Sequence, residues 1–527
     1  MHVETPSPVA ASAPGRASLS STERLLIGLL VVGTFVVILN ETIMGVALPR
    51  LMADLEITAA TAQWLTTAFL LTMAIVIPAT GYLLQRFSTR TIFVTAMTLF
   101  SVGTLVAAIA PGFELLLVGR VVQAGGTAMM MPLLTTTILN LVPPQSRGRI
   151  MGTMSIVIAV APAIGPTVSG LILRVTSWRW IFGLVLPIAL VVLALGAVLI
   201  KNVTVPRKVP FDLLSLLLSA AAFGGLVYGL SSIGESASGH TPVTPWIPIS
   251  VGVIALAVFV ARQFVLQRED RALLDLRTFG SKPFSIAVVV LIVAMMALFG
   301  SLIVLPLYLQ NVLGLDTLAT GLLMLPGGIA MGVLSPIVGR LYDRVGPRPL
   351  VVPGTVLVSA ALWLMTMLDV DTSRSMVVGI HVVLMVGLAF VFTPLFTSSL
   401  GSLPPKLYTH GSAIVSTLQQ VAGAAGTALF IAVMTTWTTS DLAEGAAQLD
   451  ATMTGIHAAF LCGGALSLIA VAASLFVRPA PPSQPEFRSP PHVAEGALRP
   501  VDPNEGPLQP VAGAGSAVGA RPISGRG

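Results

Sequence analysis

Charge is what this sequence has least of. Only 9% of its 527 residues are Asp, Glu, Lys or Arg, against about 25% in a soluble domain. That shortage excludes an ordinary water-soluble enzyme or regulatory domain, which needs a charged surface to stay dispersed. There is one cysteine, Cys462, so no intrachain disulfide forms, and a lone thiol in an apolar run supports no metal or thiol chemistry. No Gly-x-x-x-x-Gly-Lys-Ser/Thr stretch occurs, which excludes nucleotide hydrolysis through a P-loop. Uphill work, if any, must draw on an ion gradient. No nucleophile, metal cluster or carboxylate pair stands out, so enzymatic chemistry has no support, and no cofactor or metal is expected.

What is present is apolar. Hydrophobic residues make up 55% of the chain and mean hydropathy is +0.92, the composition of an integral membrane protein. Runs of ~20 apolar residues, enough to cross ~30 Å of hydrocarbon, fall near 24–48, 62–83, 91–110, 115–140, 150–173, 180–200, 212–232, 246–266, 284–309, 318–339, 350–368, 376–402, 412–436 and 454–477. The first is too long for a cleaved signal peptide and has no matching cleavage site. Fourteen spans predict an all-α membrane protein with both termini on one side.

The net charge of +6 lies in short loops between the runs, which points to bilayer orientation and not to nucleic acid. Loops holding Arg86/Arg90, Arg147/Arg149, Lys201/Arg207/Lys208, Arg262 through Lys282, Arg340/Arg344/Arg348 and Lys406 alternate with loops holding Asp54/Glu56, Glu114, Glu235, Asp316, Asp369/Asp371 and Asp441/Glu444/Asp450. The positive set is predicted to be cytoplasmic, with Arg174 and Arg179 the exception. Residues 1–22, rich in Ala, Ser and Pro, and the Pro/Gly/Ala tail 478–527 read as disordered cytoplasmic extensions.

Inside this apolar frame one carboxylate needs a reason. Glu41 sits in the first run, where an ionised side chain costs roughly 2.5–3.5 kcal/mol on translocon scales, beside polar Asn40 and ahead of Pro49, expected to close the helix. Arg120 is the other charge well inside a span. Counted at ~1.5 Å per residue from the outer ends, Glu41 lies ~12 Å deep and Arg120 ~9 Å. At similar depth they pair directly or through water, and the reading is that Arg120 modulates the proton affinity of Glu41. A static ion pair fixing helix register is the alternative. Asn40, Gln123, Tyr308, Gln310, Gln419 and Gln420 are candidates for lining a substrate cavity, with plain interhelical hydrogen bonding the alternative. His381 reads as a satisfied core residue. Pro162, Gly165, Pro166 and Gly170 predict a bent fifth span with a small-residue face.

The chain repeats itself. Gly81-Tyr82-Leu83-Leu84-Gln85-Arg86-Phe87-Ser88-Thr89-Arg90 matches Gly339-Arg340-Leu341-Tyr342-Asp343-Arg344-Val345-Gly346-Pro347-Arg348 at Gly, Leu, Arg and Arg, and Pro143-Pro144 has its counterpart in Pro404-Pro405. Spans 1–6 (residues 23–200) and 9–14 (residues 284–477) therefore read as two like-oriented six-helix units, with a two-helix insertion at 201–283.

These stretches resemble the major facilitator superfamily, and the fourteen-span count points to its drug:proton antiporter branch. Leu39 to Pro49, Gln63-Trp64, Gly119 to Gly126, Gly165 to Gly170 and Trp178 to Phe182 carry the resemblance further, most toward lincomycin-resistance-type efflux proteins. It implies a bacterial cytoplasmic-membrane exporter, a monomer in the bilayer, exchanging protons for amphipathic or lipophilic small molecules such as antibiotics. It implies gating roles for Gly81, Gln85, Arg86, Arg90 and for Gly339, Asp343, Arg344, Arg348, and a half-to-half interface for Gly165 to Gly170. The chain departs from the family pattern at Asn40 and Gln85, where an aspartate is usual, and at Ser88, where glycine is usual. Asn40 shifts the acid one residue, about 100° round the helix, and Gln85 removes an ion pair from the first-half latch that Asp343 keeps in the second. Export of an endogenous metabolite or lipid, a non-transporting sensor, and uptake are the rival readings.

Overall fold

A backbone in hydrocarbon has no water to bond, so each span must satisfy its own N–H and C=O groups as a helix. The computed structural model describes residues 19–202, 206, 210–236 and 244–478. Residues 1–18 of the predicted arm, Arg207 and Lys208, and the predicted tail beyond Arg478 lie outside the described residues, as does the side chain of Pro166. The helices are α1 (Ser21–Leu55), α2 (Ala59–Arg86), α3 (Thr89–Ala108), α4 (Phe113–Leu141), α5 (Arg147–Val175), α6 (Arg179–Leu199), α7 (Leu213–Ser236), α8 (Trp246–Leu266), α9 (Lys282–Leu307), α10 (Thr317–Val345), α11 (Arg348–Met365), α12 (Arg374–Gly401), α13 (Tyr408–Ala443) and α14 (Gln448–Ser474). Thirteen are long and apolar enough to cross a membrane, and α5 with the short turn that leads into it makes the fourteenth, a span bent by 41° between Pro144–Pro162 and Thr167–Val175, where the proline and glycine pattern predicts the bend.

Side-chain caps set the helix starts. Ser20 and Glu23 form a capping box on α1, Thr58 accepts from the Thr61 N–H, Ser88 from Thr91, and Asp316 from Ala319; each takes up an N–H that the first turn leaves free. One expectation fails. Pro49 does not end α1, which runs on to Leu55 and stops at Glu56, in the left-handed region with φ 52°. A proline that near a span's end frees a carbonyl where polar surroundings can take it.

The two six-helix units repeat their internal packing: α3 on α4, α3 on α6 and α1 on α5 are matched by α11 on α12, α11 on α14 and α9 on α13. Between the units, α5 packs on α10 and α2 on α13, the same pairing seen from each half. The inserted α7 packs on α2 and on α13, while α8 packs on α7 and turns Trp246, Ile247, Val251 and Val258 outward. Thus α7 lies along the seam between the halves, and stacking of Trp64 on Tyr228 at 5.8 Å ties it to α2.

The two arginines that break the loop-charge rule have local partners at the acid-bearing end of the bundle. Arg174 pairs with Asp316 of α10 at 3.1 Å. Arg179 donates to the Ala110 carbonyl at 3.0 Å and stands over Trp178 at 4.3 Å.

Candidate functional site

Where the halves meet, a cavity of about 150 Å³ opens. Glu41, Thr34 and Thr42 of α1, Met73 of α2, Thr127 and Met131 of α4, Met295 and Phe299 of α9, and Ser416, Gln419 and Gln420 of α13 line it. Gln420 reaches across to the Met73 sulfur at 3.8 Å. Glu41 is half-buried, and among the described residues its carboxylate takes part in no hydrogen bond or ion pair. The wall around it is otherwise thioether, amide, hydroxyl and hydrocarbon.

Arg120, by contrast, is 1% exposed and held through Nε and Nη1. Its guanidinium donates to Asn40 Oδ1 at 3.2 Å, to Gln123 Oε1 at 2.6 Å and to the Leu65 carbonyl at 3.4 Å, and lies 4.0 Å from the centre of the Phe69 ring. Gln123 passes a hydrogen bond on to Thr104 at 2.8 Å. The group joins α1, α2, α3 and α4 around a cation whose partners are all neutral. Direct pairing of Glu41 with Arg120 is not found. Consecutive residues point about 100° apart on a helix, so Asn40 faces α4 and Glu41 faces the cavity.

The structure sorts the predicted lining residues. Gln419 and Gln420 line the cavity, with Ser416 one turn before them on the same face. Asn40 and Gln123, at 1% and 0% exposure, are instead sealed against Arg120. Tyr308 is 0% exposed and donates to the Asp369 carbonyl at 2.8 Å; it belongs to a π turn, Tyr308–Val312, that also carries Gln310. Both lie past the end of α9 and neither lines the cavity; the Tyr308 hydroxyl is taken up by backbone instead. Thr34, Thr42, Met73, Met295, Phe299 and Ser416 were not singled out from the sequence, since apolar and hydroxyl residues carry no signal distinguishing cavity from core.

At the arginine-rich end the repeated motifs meet their targets. Asp343 accepts the backbone N–H groups of Gly148 at 2.8 Å and Arg149 at 3.0 Å, a carboxylate on the first turn of α5, where the free N–H groups and helix dipole favour it. Gln85 and His410 stand in the related place, amide to ring at 3.0 Å; the offset that carries Pro143-Pro144 onto Pro404-Pro405 carries Arg149 onto His410. His410 also receives the Asp275 N–H at Nδ1, 3.3 Å away, which brings the connection between α8 and α9 into the contact. Gly148 is required: a Cβ there would stand 2.5 Å from both Asp343 Oδ1 and the Gly339 carbonyl. Gly81 meets α13 less tightly, a Cβ there falling 3.3 Å from that of Ala413. Arg86, Arg90, Arg344 and Arg348 flank these links and form no ion pair among the described residues. Thr393 to Ser155 at 2.7 Å adds a further tie between halves.

The small-residue face of α5 divides its work. Gly165 admits Thr42 of α1, to which a Cβ would come within 3.0 Å of Cβ, and Thr42 donates to the Ala161 carbonyl at 3.3 Å. Gly170 faces Leu318 of α10. Half of the motif therefore packs within its own unit, and Pro162, one turn before it, lines the cavity.

The chain matches the Major Facilitator Superfamily over residues 30–427. It is similar to the lincomycin resistance protein LmrB of Listeria monocytogenes, 43% identical over 451 residues that cover 85% of this chain and 95% of that one. LmrB of Bacillus subtilis is 39% identical over 86% of this chain and 95% of its own, and a multidrug resistance protein B homolog of Mycobacterium tuberculosis is 31% identical over 82% and 81%. In fold it resembles the human organic anion transporter MFSD10, with a TM-score of 0.60 at 14% identity, over 86% of this chain and all of that one. Two matched halves of six helices with a two-helix insertion, joined by reciprocal contacts and aligned along most of the chain with such relatives, make this chain a member of the major facilitator superfamily.

Proposed function

We propose that this protein is a proton-coupled exporter of amphipathic or lipophilic small molecules, antibiotics among them, across a bacterial cytoplasmic membrane, with both termini in the cytoplasm. One observation carries the reading: the single acid on the wall of a cavity shared by both halves is unpartnered, while the nearby buried arginine is satisfied by neutral groups. A carboxylate so placed can take and release a proton without breaking a structural ion pair. The lincomycin and multidrug resistance named for relatives supports the substrate class, and the loop-charge pattern supports the orientation.

The geometry supports the following cycle. Substrate enters the shared cavity from the cytoplasm and competes with the proton for Glu41; the halves rock about the cavity, substrate leaves outside, and protonation of Glu41 allows return. Asp343 on α5 and Gln85 on His410 close the cytoplasmic end while the outer side empties. One proton moving down ~100 mV releases ~2.3 kcal/mol and one pH unit adds ~1.4 kcal/mol, together supporting a roughly five-hundred-fold gradient of a neutral solute.

The test is Glu41→Gln in proteoliposomes with an imposed pH gradient. Substrate-driven proton release is expected to vanish while substrate binding persists; undiminished coupling would remove Glu41 from the mechanism.

A further inference from the structure

The shared cavity has a neighbour that the cycle above does not use. A second chamber of about 80 Å³ lies between α5, α9, α10 and α12, and shares Ile158, Pro162, Leu298 and Leu302 with the wall of the central cavity. Its far side is soft, built of Met324, Met331 and Met385, unbranched thioethers that re-pack readily around different shapes. Into this apolar wall the chain places one polar side chain, His381 of α12, which is 3% exposed and has no hydrogen-bond partner for Nδ1. Gly327 of α10 makes room for the ring: a Cβ there would come 2.7 Å from Nε2. A leucine would fill this place without stranding a polar atom, so the imidazole is costly unless something completes it.

The chemistry of the missing partner can be read from the ring. A neutral imidazole has one N–H and one bare nitrogen. The Met324 carbonyl is the backbone acceptor that faces it and suits the N–H, leaving the bare nitrogen to accept. The size sets the rest. A cavity of ~150 Å³ is what holds a benzene, so this chamber takes one small arm of a molecule whose body stays in the central cavity.

We propose that the His381 chamber is a substrate subsite, selecting lipophilic molecules that carry a hydrogen-bond donor, O–H or N–H, on a short arm. This deepens the export reading and rests on it for its physiological meaning, but binding alone tests it.

The experiment is a fluorescence titration of the purified, detergent-solubilised protein with a naphthylbutanol and with its methyl ether, which differ only in the donor. The wild type is expected to bind the alcohol about fivefold to tenfold more tightly, the worth of one buried hydrogen bond. His381→Leu is expected to bring the two affinities together by weakening the alcohol alone, and His381→Gln, which keeps an acceptor there, to retain most of the preference. Should His381→Leu not fold, Gly328→Leu narrows the chamber from α10 with the imidazole in place and is expected to lose the same preference. Equal affinities in the wild type, a preference that survives both leucine variants, or an equal loss for both ligands would overturn the subsite. Ligands bound with this preference yet never exported by energised vesicles would overturn the export reading and leave the subsite standing.

Discussion

Arg120 Nη1 donates to Asn40 Oδ1 at 3.2 Å, and the acid carried by the next residue, Glu41, is left to the cavity. The arginine is held by an amide that cannot titrate, so its geometry need not change when the acid does.

That separation predicts a positional effect. In an Asn40→Asp/Glu41→Gln double variant the acid is restored but points at Arg120, inside the sealed network and away from the cavity. Coupled efflux is expected to stay at the level of Glu41→Gln alone when measured as substrate-driven proton movement in proteoliposomes. Asn40→Leu leaves an Arg120 donor unmet in a buried place and is expected to cost ~1–3 kcal/mol of stability, read as a lowered melting temperature.

The close approach of α5 and α10 at the arginine-rich end depends on the absence of a side chain at Gly148, where a Cβ would meet Asp343 and Gly339. Gly148→Val is expected to cost ~1–3 kcal/mol in this arrangement alone, shifting the conformational balance roughly five- to hundredfold. In a Cys462→Ser background, a reporter cysteine at Ser155, buried here against Thr393, would then react faster with a maleimide while transport falls. An unchanged labelling rate would show that the α5 to α10 contact is not what closes this end.

His410 links three parts of the chain, touching Gln85 of α2 and the Asp275 N–H of the insertion's connection. His410→Ala removes both contacts at once, leaving the buried Asp275 N–H unmet while Gln85 keeps the Gly81 carbonyl, and is expected to open the α2 to α13 side, with a loss of ~1–3 kcal/mol. Gln85→Ala removes one contact and leaves Asp275 its partner. Its effect on the maximal transport rate should therefore be the smaller, and a larger one would assign the contact to Gln85 alone.

The insertion has its own clasp. Asp212, just ahead of α7, receives two hydrogen bonds from Arg262 of α8, both at 2.9 Å. That guanidinium, with a further bond from Ser215, brings the Asp212 carboxyl down to about 2 from an ordinary 3.8. Because the folded value is the depressed one, the clasp's stabilisation is complete above about pH 4 and is lost as pH falls toward 2. Arg262 is a third exposed, so solvent screening limits the contribution to about 1 kcal/mol. Asp212→Asn should lower the melting temperature at pH 7, and the difference from wild type should shrink on acidification through that window.

The fold was legible in the sequence to within a few residues at most helix ends, because a span must be apolar for about twenty residues and start where a cap can take up free N–H groups. The bend in α5 was legible from Pro162 and Gly165, and the two halves from Gly81 to Arg90 against Gly339 to Arg348. Helix ends beyond the hydrocarbon were less so, as α1 running past Pro49 shows. The site was legible in its charges and not in its walls. Glu41 and Arg120 stand out by cost alone, and Gln419 and Gln420 by polarity, but Asn40, Gln123 and Tyr308 are equally polar and serve packing. His381, an ordinary core histidine by its setting in the sequence, has a nitrogen with no partner.

By itself the sequence determined that this is a membrane bundle of two repeated halves with an acid and an arginine buried in the first, since hydropathy, loop charge and internal repetition are properties of the chain read in line. Tertiary structure alone decided which of those buried groups meet. A helix turns about 100° per residue, so whether Arg120 finds Glu41 or Asn40 depends on the rotation of α1 against α4, set by contacts such as Thr42 on Gly165 that no single span encodes.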